Sequence, residues 1–271
     1  MSSTFLAAAS TRSIDATATS PPPPVTNKAL PTVNCLMLVT WPSRRSMIQH
    51  AIVSFVKQDY SPRHLTIVND GEPCSLSDAF FAQAGCHGCV ISAPSGATIG
   101  EKRNLGAAAV PSAEFIASFD DDDFCLPSRL RKQVEQLSRA NGSWLSASRK
   151  FIAIETLDNI VGFEYGRCYG AGMIRREVAL ELPWQHVSYC EDQKMFDAAR
   201  AHPEFGKSGR ILEADDLVYV HRRHETNASA SHRKNLWQGV LPLQLAGGEA
   251  LIAAAEVKRL LGEAHDEYLV D

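Results

Sequence analysis

Four consecutive aspartates, Asp120, Asp121, Asp122 and Asp123, stand directly after the apolar run FIASF at residues 115–119 and shortly before Pro127. Carboxylates this close raise one another's pKa, so four of them do not ionise together cheaply. A divalent cation removes that cost and takes hard oxygen ligands. In open α/β sheets, ligands sit just beyond the carboxyl ends of strands, which is where this run falls if 115–119 is a strand. The competing reading is a solvated acidic turn that caps the next helix. Directly after a buried strand, metal binding ranks first.

Three other groups carry chemistry. Glu191-Asp192 opens a segment with helical spacing, EDQKMFDAARA. Acids at a helix N-terminus are favoured by about 0.3–1 kcal/mol, so the pair is either a partner of the helix dipole or a general base with its neighbour. Lys102, Arg103 and Asn104 fall at the start of another predicted helix, where free backbone N–H groups make an anion site. Cations there oppose the dipole, which favours a bound anion. His221-Arg222-Arg223-His224 ends a predicted strand. A neutral imidazole can complete a metal shell. Because side chains alternate along a strand, His224 is ranked as the metal candidate ahead of His221.

These residues need elements to place them. Residues 33–39 (VNCLMLV) are short and nearly all apolar, the pattern of a buried parallel strand. Met47, Ile48, Ala51, Ile52, Phe55 and Val56 then recur at helical spacing, with Ser43 or Ser46 as the expected cap. Residues 64–68 form a second strand, completing a βαβ unit. A short helix is expected at 80–84, a strand at 89–93, a helix from Gly100 to about 110, and a strand at 114–119 that delivers the aspartates. Pro127 suits a helix start, and 129–139 continues that helix. Beyond it the spacing predicts one or two strands within 144–156, a strand at 169–174, helices at 176–182 and 191–201, and a strand at 217–222. Gly170 and Gly172 on the 169–174 strand imply close approach by a ligand or another element. The alternation predicts a mostly parallel sheet with helices on both faces.

A chain of 271 residues with net charge −4 is long enough for a real core and too little basic for a nucleic-acid footprint. No apolar run reaches the ~20 residues of a membrane helix, and the N-terminus lacks the order of a secretory signal. Seven irregularly spaced cysteines argue against a disulfide framework and for a reducing compartment. Cys86 and Cys89 form a CxxC without the second pair a structural zinc needs. Residues 1–31 are Ser/Thr/Ala-rich and end in prolines, a composition expected to stay disordered.

In the order of its parts the chain resembles family 2 glycosyltransferases of the GT-A fold, from about residue 33 to 227. The parts are Thr40-Trp41-Pro42 after the first strand, Gln58-Asp59-Tyr60, Asn69-Asp70-Gly71, Gly100-Glu101-Lys102-Arg103-Asn104, Phe119 with the four aspartates, Pro127-Ser128-Arg129-Leu130, Gly170 and Gly172, Glu191-Asp192, and the histidines. The resemblance implies a single Rossmann-like α/β domain at 32–235, with a donor half at about 32–130 and an acceptor half at about 131–235, followed by a helical tail at 236–271. It implies that Thr40, Trp41, Pro42 and Asp70 hold the base and ribose of a nucleotide-sugar. Asp70 can accept from a base N–H and Trp41 can offer a π face. Arg44, Lys102 and Arg103 fall to the donor, Arg44 through its phosphates. Asp120 and Asp121 face the ribose or donor sugar, and Asp122, with His224, holds Mg²⁺ or Mn²⁺. Asp192 is the implied general base and Glu191 its partner.

The function implied is metal-dependent, inverting transfer of a sugar from a nucleotide-diphospho-sugar, a UDP-sugar first, to an acceptor hydroxyl. The acceptor is a saccharide, a lipid-linked molecule or a protein. A cytoplasmic location is expected, with peripheral membrane association left open and no nucleic-acid partner. Two rivals are a nucleotidyltransferase, which would carry a Gly-rich loop where Thr40-Trp41-Pro42-Ser43 stands, and a non-catalytic nucleotide-sugar-binding module.

Overall fold

A computed structural model describes residues 29–222, apart from 75, 77, 141, 157–158, 209–210 and 215–217, together with 255 and 259. The chain divides into a unit Met1–Leu30 and a unit Pro31–Asp271, and every element below belongs to the second. The expected disordered tail at 1–31 falls outside the described residues except for its last three. His224 falls outside them too, as does the helical tail at 236–271 save for 255 and 259.

The apolar run Val33–Val39 is the central strand β1 and is buried at every position but Leu38. Its faces separate two cores. Val33, Cys35, Met37 and Val39 join Ile48, Ile52 and Phe55 on one side. Leu36 joins Ala107, Ile116, Trp144 and Phe196 on the other. This is the period of two that a doubly covered strand requires. Each fully buried aliphatic or aromatic side chain contributes about 1.5–3 kcal/mol. The polar Asn34 is fully buried within this run, and its amide is satisfied. It donates to Gly106 O at 2.9 Å and accepts from Thr66 Oγ1 at 2.7 Å, tying β1 to its neighbours.

Helix α1, Arg45–Val56, leads to β2, Arg63–Asn69; α2, Asp78–Gln83, leads to β3, His87–Ser92; and α3, Ile99–Ala108, leads to β4, Phe115–Ser118. Strands β3, β2, β1 and β4 lie side by side and parallel. Their carboxyl ends therefore converge on one edge of the sheet. A two-residue strand β5, Phe124–Cys125, follows the aspartates, and α4, Arg129–Arg139, comes next. Pro127 lies just ahead of α4 instead of inside it. Strand β6, Leu145–Thr156, and β7, Asn159–Arg175, form a long antiparallel pair that joins the sheet through β4. Then come α5, Arg176–Glu181; α6, Glu191–Ala201; α7, Phe205–Ser208; β8, Ile211–Ala214; and β9, Tyr219–Arg222. The sheet order is β3-β2-β1-β4-β7-β6-β9-β5, with β8 also paired to β6. The β6–β8 and β6–β9 pairs are parallel, and β5–β9 is antiparallel.

The mixed α/β architecture, mostly parallel with helices on both faces, is as the periodicity predicts. Several details differ. The N-cap of α1 is Arg44, without a side-chain cap bond, so neither Ser43 nor Ser46 caps it. Strand β7 begins well before the expected 169, and β5, α7 and β8 were not expected. All three are four residues or fewer, too short to show a period. Cys86, in the loop after α2, and Cys89, on β3, are both free thiols.

Candidate functional site

Beyond β4 the chain is fixed by Phe119 N donating to Leu36 O at 2.8 Å. The four aspartates that follow turn in different directions. Asp123 is buried and binds β9: it accepts from the Tyr219 hydroxyl, from Arg222 N at 2.7 Å, and lies 3.1 Å from His221 Nδ1. It does not cap α4, whose N-cap is Ser128. Asp120 points towards Arg103, with Oδ1 3.8 Å from Nη2, and its other oxygen accepts from the Tyr219 hydroxyl at 3.4 Å. A Cβ on Gly170 would lie 2.9 Å from Asp120 Oδ2 and 3.1 Å from the Tyr219 hydroxyl. The close approach expected at this glycine is therefore made by a carboxylate and a phenol.

Asp121 and Asp122 turn to one cation. Arg44 Nη2 lies 2.9 Å from Asp121 Oδ2, and Arg44 Nη1 lies 2.9 Å from Asp122 Oδ2. Arg44 adopts φ 58°, ψ 30°, the left-handed region that residues with a Cβ rarely occupy. The electrostatics follow from crowding. Burial, with Asp122 beside it, pushes Asp121 up to about 8 despite Arg44. Burial also raises Asp120, as do Asp123, Asp122 and Glu191, while Arg103 opposes the rise.

The loops after β1 and β2 build the next part. Thr40 Oγ1 donates to Asp70 Oδ1 at 2.7 Å, and Lys102 Nζ lies 3.0 Å from Asp70 Oδ2. Burial tends to raise Asp70, but the bonds from Thr40 and Lys102 prevail and hold its carboxyl below the usual value. Asn69 is structural: its Oδ1 accepts from Trp41 N and Gly71 N at 3.0 Å each, and its Nδ2 donates to Glu72 O at 2.6 Å. That explains an amide beside Asp70, since a carboxylate could not also donate to Glu72. The Trp41–Pro42 peptide is cis. The Trp41 ring packs partly on the core and lies under the Arg45 guanidinium at 5.7 Å, while Pro42 is exposed.

Helix α3 places the cations. Its N-terminus is closed by a capping box in which Thr98 and Glu101 satisfy each other's backbone N–H. Lys102 and Arg103 are both buried and reach carboxylates instead of lying beside a free anion site. Arg103 Nε donates to Glu191 Oε1 at 3.1 Å, and its Nη1 donates to Ser118 Oγ at 3.0 Å. Asn104 holds the loop before α6: its Nδ2 donates to Trp184 O at 2.8 Å and its Oδ1 accepts from Trp184 N at 2.9 Å. Gly100 N donates to Val187 O at 3.1 Å, and a Cβ at Gly100 would stand 1.8 Å from Gln185 O. This docking leads into Cys190, whose φ of 56° turns the chain into α6. Glu191 is then buried against Arg103, and Asp192 follows with Oδ1 accepting from Gln193 N at 2.7 Å. Burial and the neighbouring Glu191 raise Asp192, against the pull of Arg103.

The predicted residues Thr40, Trp41, Pro42, Arg44, Asp70, Lys102, Arg103, Asp120, Asp121, Asp122, Glu191 and Asp192 thus gather at the carboxyl edge of the parallel strands. Asn69, Ser118, Asn104 and Tyr219 hold them there without having been singled out for that work. Of these, only Tyr219 lacked any signal; the others flank predicted functional residues at strand or helix ends. Arg129 was also missed as a support. It is fully buried beneath the aspartates, 4.8 Å from the Phe119 ring centre, with Nε donating to Gln133 Oε1 at 3.2 Å. Among the described residues no three His, Cys, Asp or Glu side chains form a ready-made metal group. The donor set nevertheless suits a hard cation: Asp121 and Asp122 already converge on one positive group through carboxylate oxygens.

The fold is that of solved GT-A glycosyltransferases. Staphylococcus aureus TarS residues 1–349, in complex with UDP-GlcNAc, superposes with a TM-score of 0.55 at 15% identity, covering 89% of this chain and 68% of that one. The complex of the same fragment with UDP gives a TM-score of 0.55 at 14% identity, covering 89% and 67%. A further structure of S. aureus TarS 1–349 gives 0.54 at 16% identity, covering 70% and 60%. This chain spans only 37% of the longer S. aureus TarS chain it also matches. Among curated proteins there is no match. The sequence model described as glycosyl transferase family 2 matches residues 31–196, more than half of the chain, and spans both the aspartate run and Glu191-Asp192. The chain belongs to glycosyl transferase family 2.

Proposed function

We propose that this protein is a metal-dependent, inverting glycosyltransferase that moves a sugar from a UDP-sugar to an acceptor hydroxyl by direct displacement. The observation that carries the reading is Arg103, which meets Asp120 of the aspartate run and Glu191 of the α6 pair at once. Donor and acceptor chemistry then share one edge of the sheet, as one displacement requires. The UDP and UDP-GlcNAc in the two TarS complexes support a uridine donor over other nucleotides.

In this reading Thr40 and Asp70 receive the base and Trp41 borders it. Lys102 keeps Asp70 ionised and placed. Asp122 and Asp121 hold a Mg²⁺ or Mn²⁺ ion, which supplies charge neutralisation for the departing diphosphate. Asp120 faces the ribose or the donor sugar. Asp192 takes the proton from the acceptor hydroxyl; burial and the neighbouring Glu191 raise its pKa, which strengthens it as a base. Glu191, clamped by Arg103, orients that base. The acceptor oxygen forms a bond to the anomeric carbon as the bond to the diphosphate oxygen breaks, so configuration inverts. His224 remains a candidate further ligand. The free thiols among the described cysteines, and the absence among described residues of any helix long and apolar enough to cross a membrane, fit a cytoplasmic enzyme.

The test is incubation with a panel of UDP- and other nucleotide-sugars and Mn²⁺, with saccharide, lipid-linked and protein acceptors, following released nucleoside diphosphate. Release from a UDP-sugar, with an inverted anomeric product, is expected. Tight donor binding with no release from any donor would replace this reading with the non-catalytic module.

A further inference from the structure

Arg44 reaches Asp122 across 78 positions of the sequence and Asp121 across 77, with a 2.9 Å hydrogen bond to each. A guanidinium is the side chain whose planar fork can serve two carboxylates at once; an ammonium is a point charge. Its side chain is 26% exposed, whereas those of Asp121 and Asp122 are 6% and 13% exposed, so the cation covers the pair from the solvent side. The backbone at Arg44 is left-handed although the residue makes no side-chain cap for α1. Local helix chemistry therefore does not account for an arginine in this conformation, and the two carboxylates do.

We propose that Arg44 is the exchangeable counter-ion of this aspartate pair. It holds Asp121 and Asp122 in place in the metal-free protein and yields both to the divalent cation that accompanies the donor. Its guanidinium then passes to the donor diphosphate, which arrives bearing the charge Arg44 has given up. The inference rests on the metal-dependent reading above. The reason is Coulombic: two cations at hydrogen-bonding range of one carboxylate oxygen repel, and a divalent ion outbids a monovalent one for hard oxygen ligands. A metal entering alone must displace Arg44 with no anion to receive it, whereas metal and diphosphate entering together exchange one ion pair for another.

The experiment uses Arg44→Gly in the full chain. Glycine accepts φ 58° freely, so the turn into α1 is kept while the side chain is lost. Far-ultraviolet circular dichroism and Tm establish that the variant is folded. Mn²⁺ binding is then measured without nucleotide, by electron paramagnetic resonance of the free ion, and UDP binding is measured at saturating Mn²⁺ by calorimetry. The expected results are about tenfold tighter Mn²⁺ binding and about tenfold weaker UDP binding. Arg44→Lys falls between the two proteins in both. If the native protein binds Mn²⁺ and the folded glycine variant binds it equally or more weakly, the inference is overturned and the metal-dependent reading stands. If neither binds Mn²⁺, both fall.

Discussion

Arg103 Nε donates to Glu191 Oε1 at 3.1 Å, closing a contact between residues 88 apart in sequence. Both groups are buried. Removing one partner would leave a carboxylate desolvated and unpaired, which is far costlier than losing an exposed ion pair. Arg103→Met should therefore lower unfolding free energy by about 3–5 kcal/mol, read by urea denaturation at neutral pH. A loss under about 1 kcal/mol would mean that the pair is open to water and contributes little to the site.

Asp122→Asn and Asp192→Asn separate the two halves of the chemistry. Asp122→Asn should remove the Mn²⁺-dependent part of UDP binding in calorimetry. Asp192→Asn should leave that binding unchanged and lower turnover by about 10²–10⁴-fold, the usual share of general-base catalysis. Near-normal turnover in the second variant would pass the base to Glu191 or another group.

The raised carboxyls predict how metal and pH interact. Asp121 has an ordinary value of 3.8 and is pushed to about 8 in the fold, with Asp120 and Asp192 also raised. A carboxyl raised on folding favours the native state fully below its unfolded value, and that contribution is lost as pH rises through the folded value. On account of these groups, the metal-free protein should weaken between about pH 4 and about pH 8. Mn²⁺ binds only the ionised form, so its stabilisation should grow over the same range. Differential scanning fluorimetry should show a larger Mn²⁺-induced rise in Tm at about pH 8.5 than at about pH 6. A rise independent of pH would show that the cation does not bind at these aspartates.

Gly100→Ala tests the loop that leads to the base. The added methyl would stand 1.8 Å from Gln185 O, a contact relieved only if α3 and the 183–190 segment move apart. Turnover should fall by about tenfold or more through misplacement of Asp192. UDP affinity, which the proposed function assigns to Asp70 and the aspartates, should change less. Equal losses in both would point to a general collapse of α3.

The short, nearly all-apolar run of β1, the helical spacing of α1, and the Gly and Asp punctuation after the parallel strands made that half of the fold readable. The acidic run stood out because its position after a buried strand limited what it could be. What stayed hidden depends on contacts distant in sequence. Asp123 looked like its three neighbours, yet Tyr219 and the β9 backbone claim it. Lys102 and Arg103 looked like an anion site until Asp70 and Glu191 appeared opposite them. Charges in sequence show sign and spacing, and only the tertiary fold shows which oxygen each cation meets. Strand β5, with two residues, offers no period at all and exists through its pairing with β9.

Asn104 grips the backbone of Trp184 with both ends of its amide, on the same helix that bears Lys102 and Arg103. A short helix moves as a rigid rod. Any tilt that improves the fit of its two cations must drag the Trp184 turn by the same angle, and with it the start of α6. Selection at one end of this rod is therefore never silent at the other. On the proposed assignment of donor contacts to α3 and of the base to α6, changes that retune one will need compensation in the other.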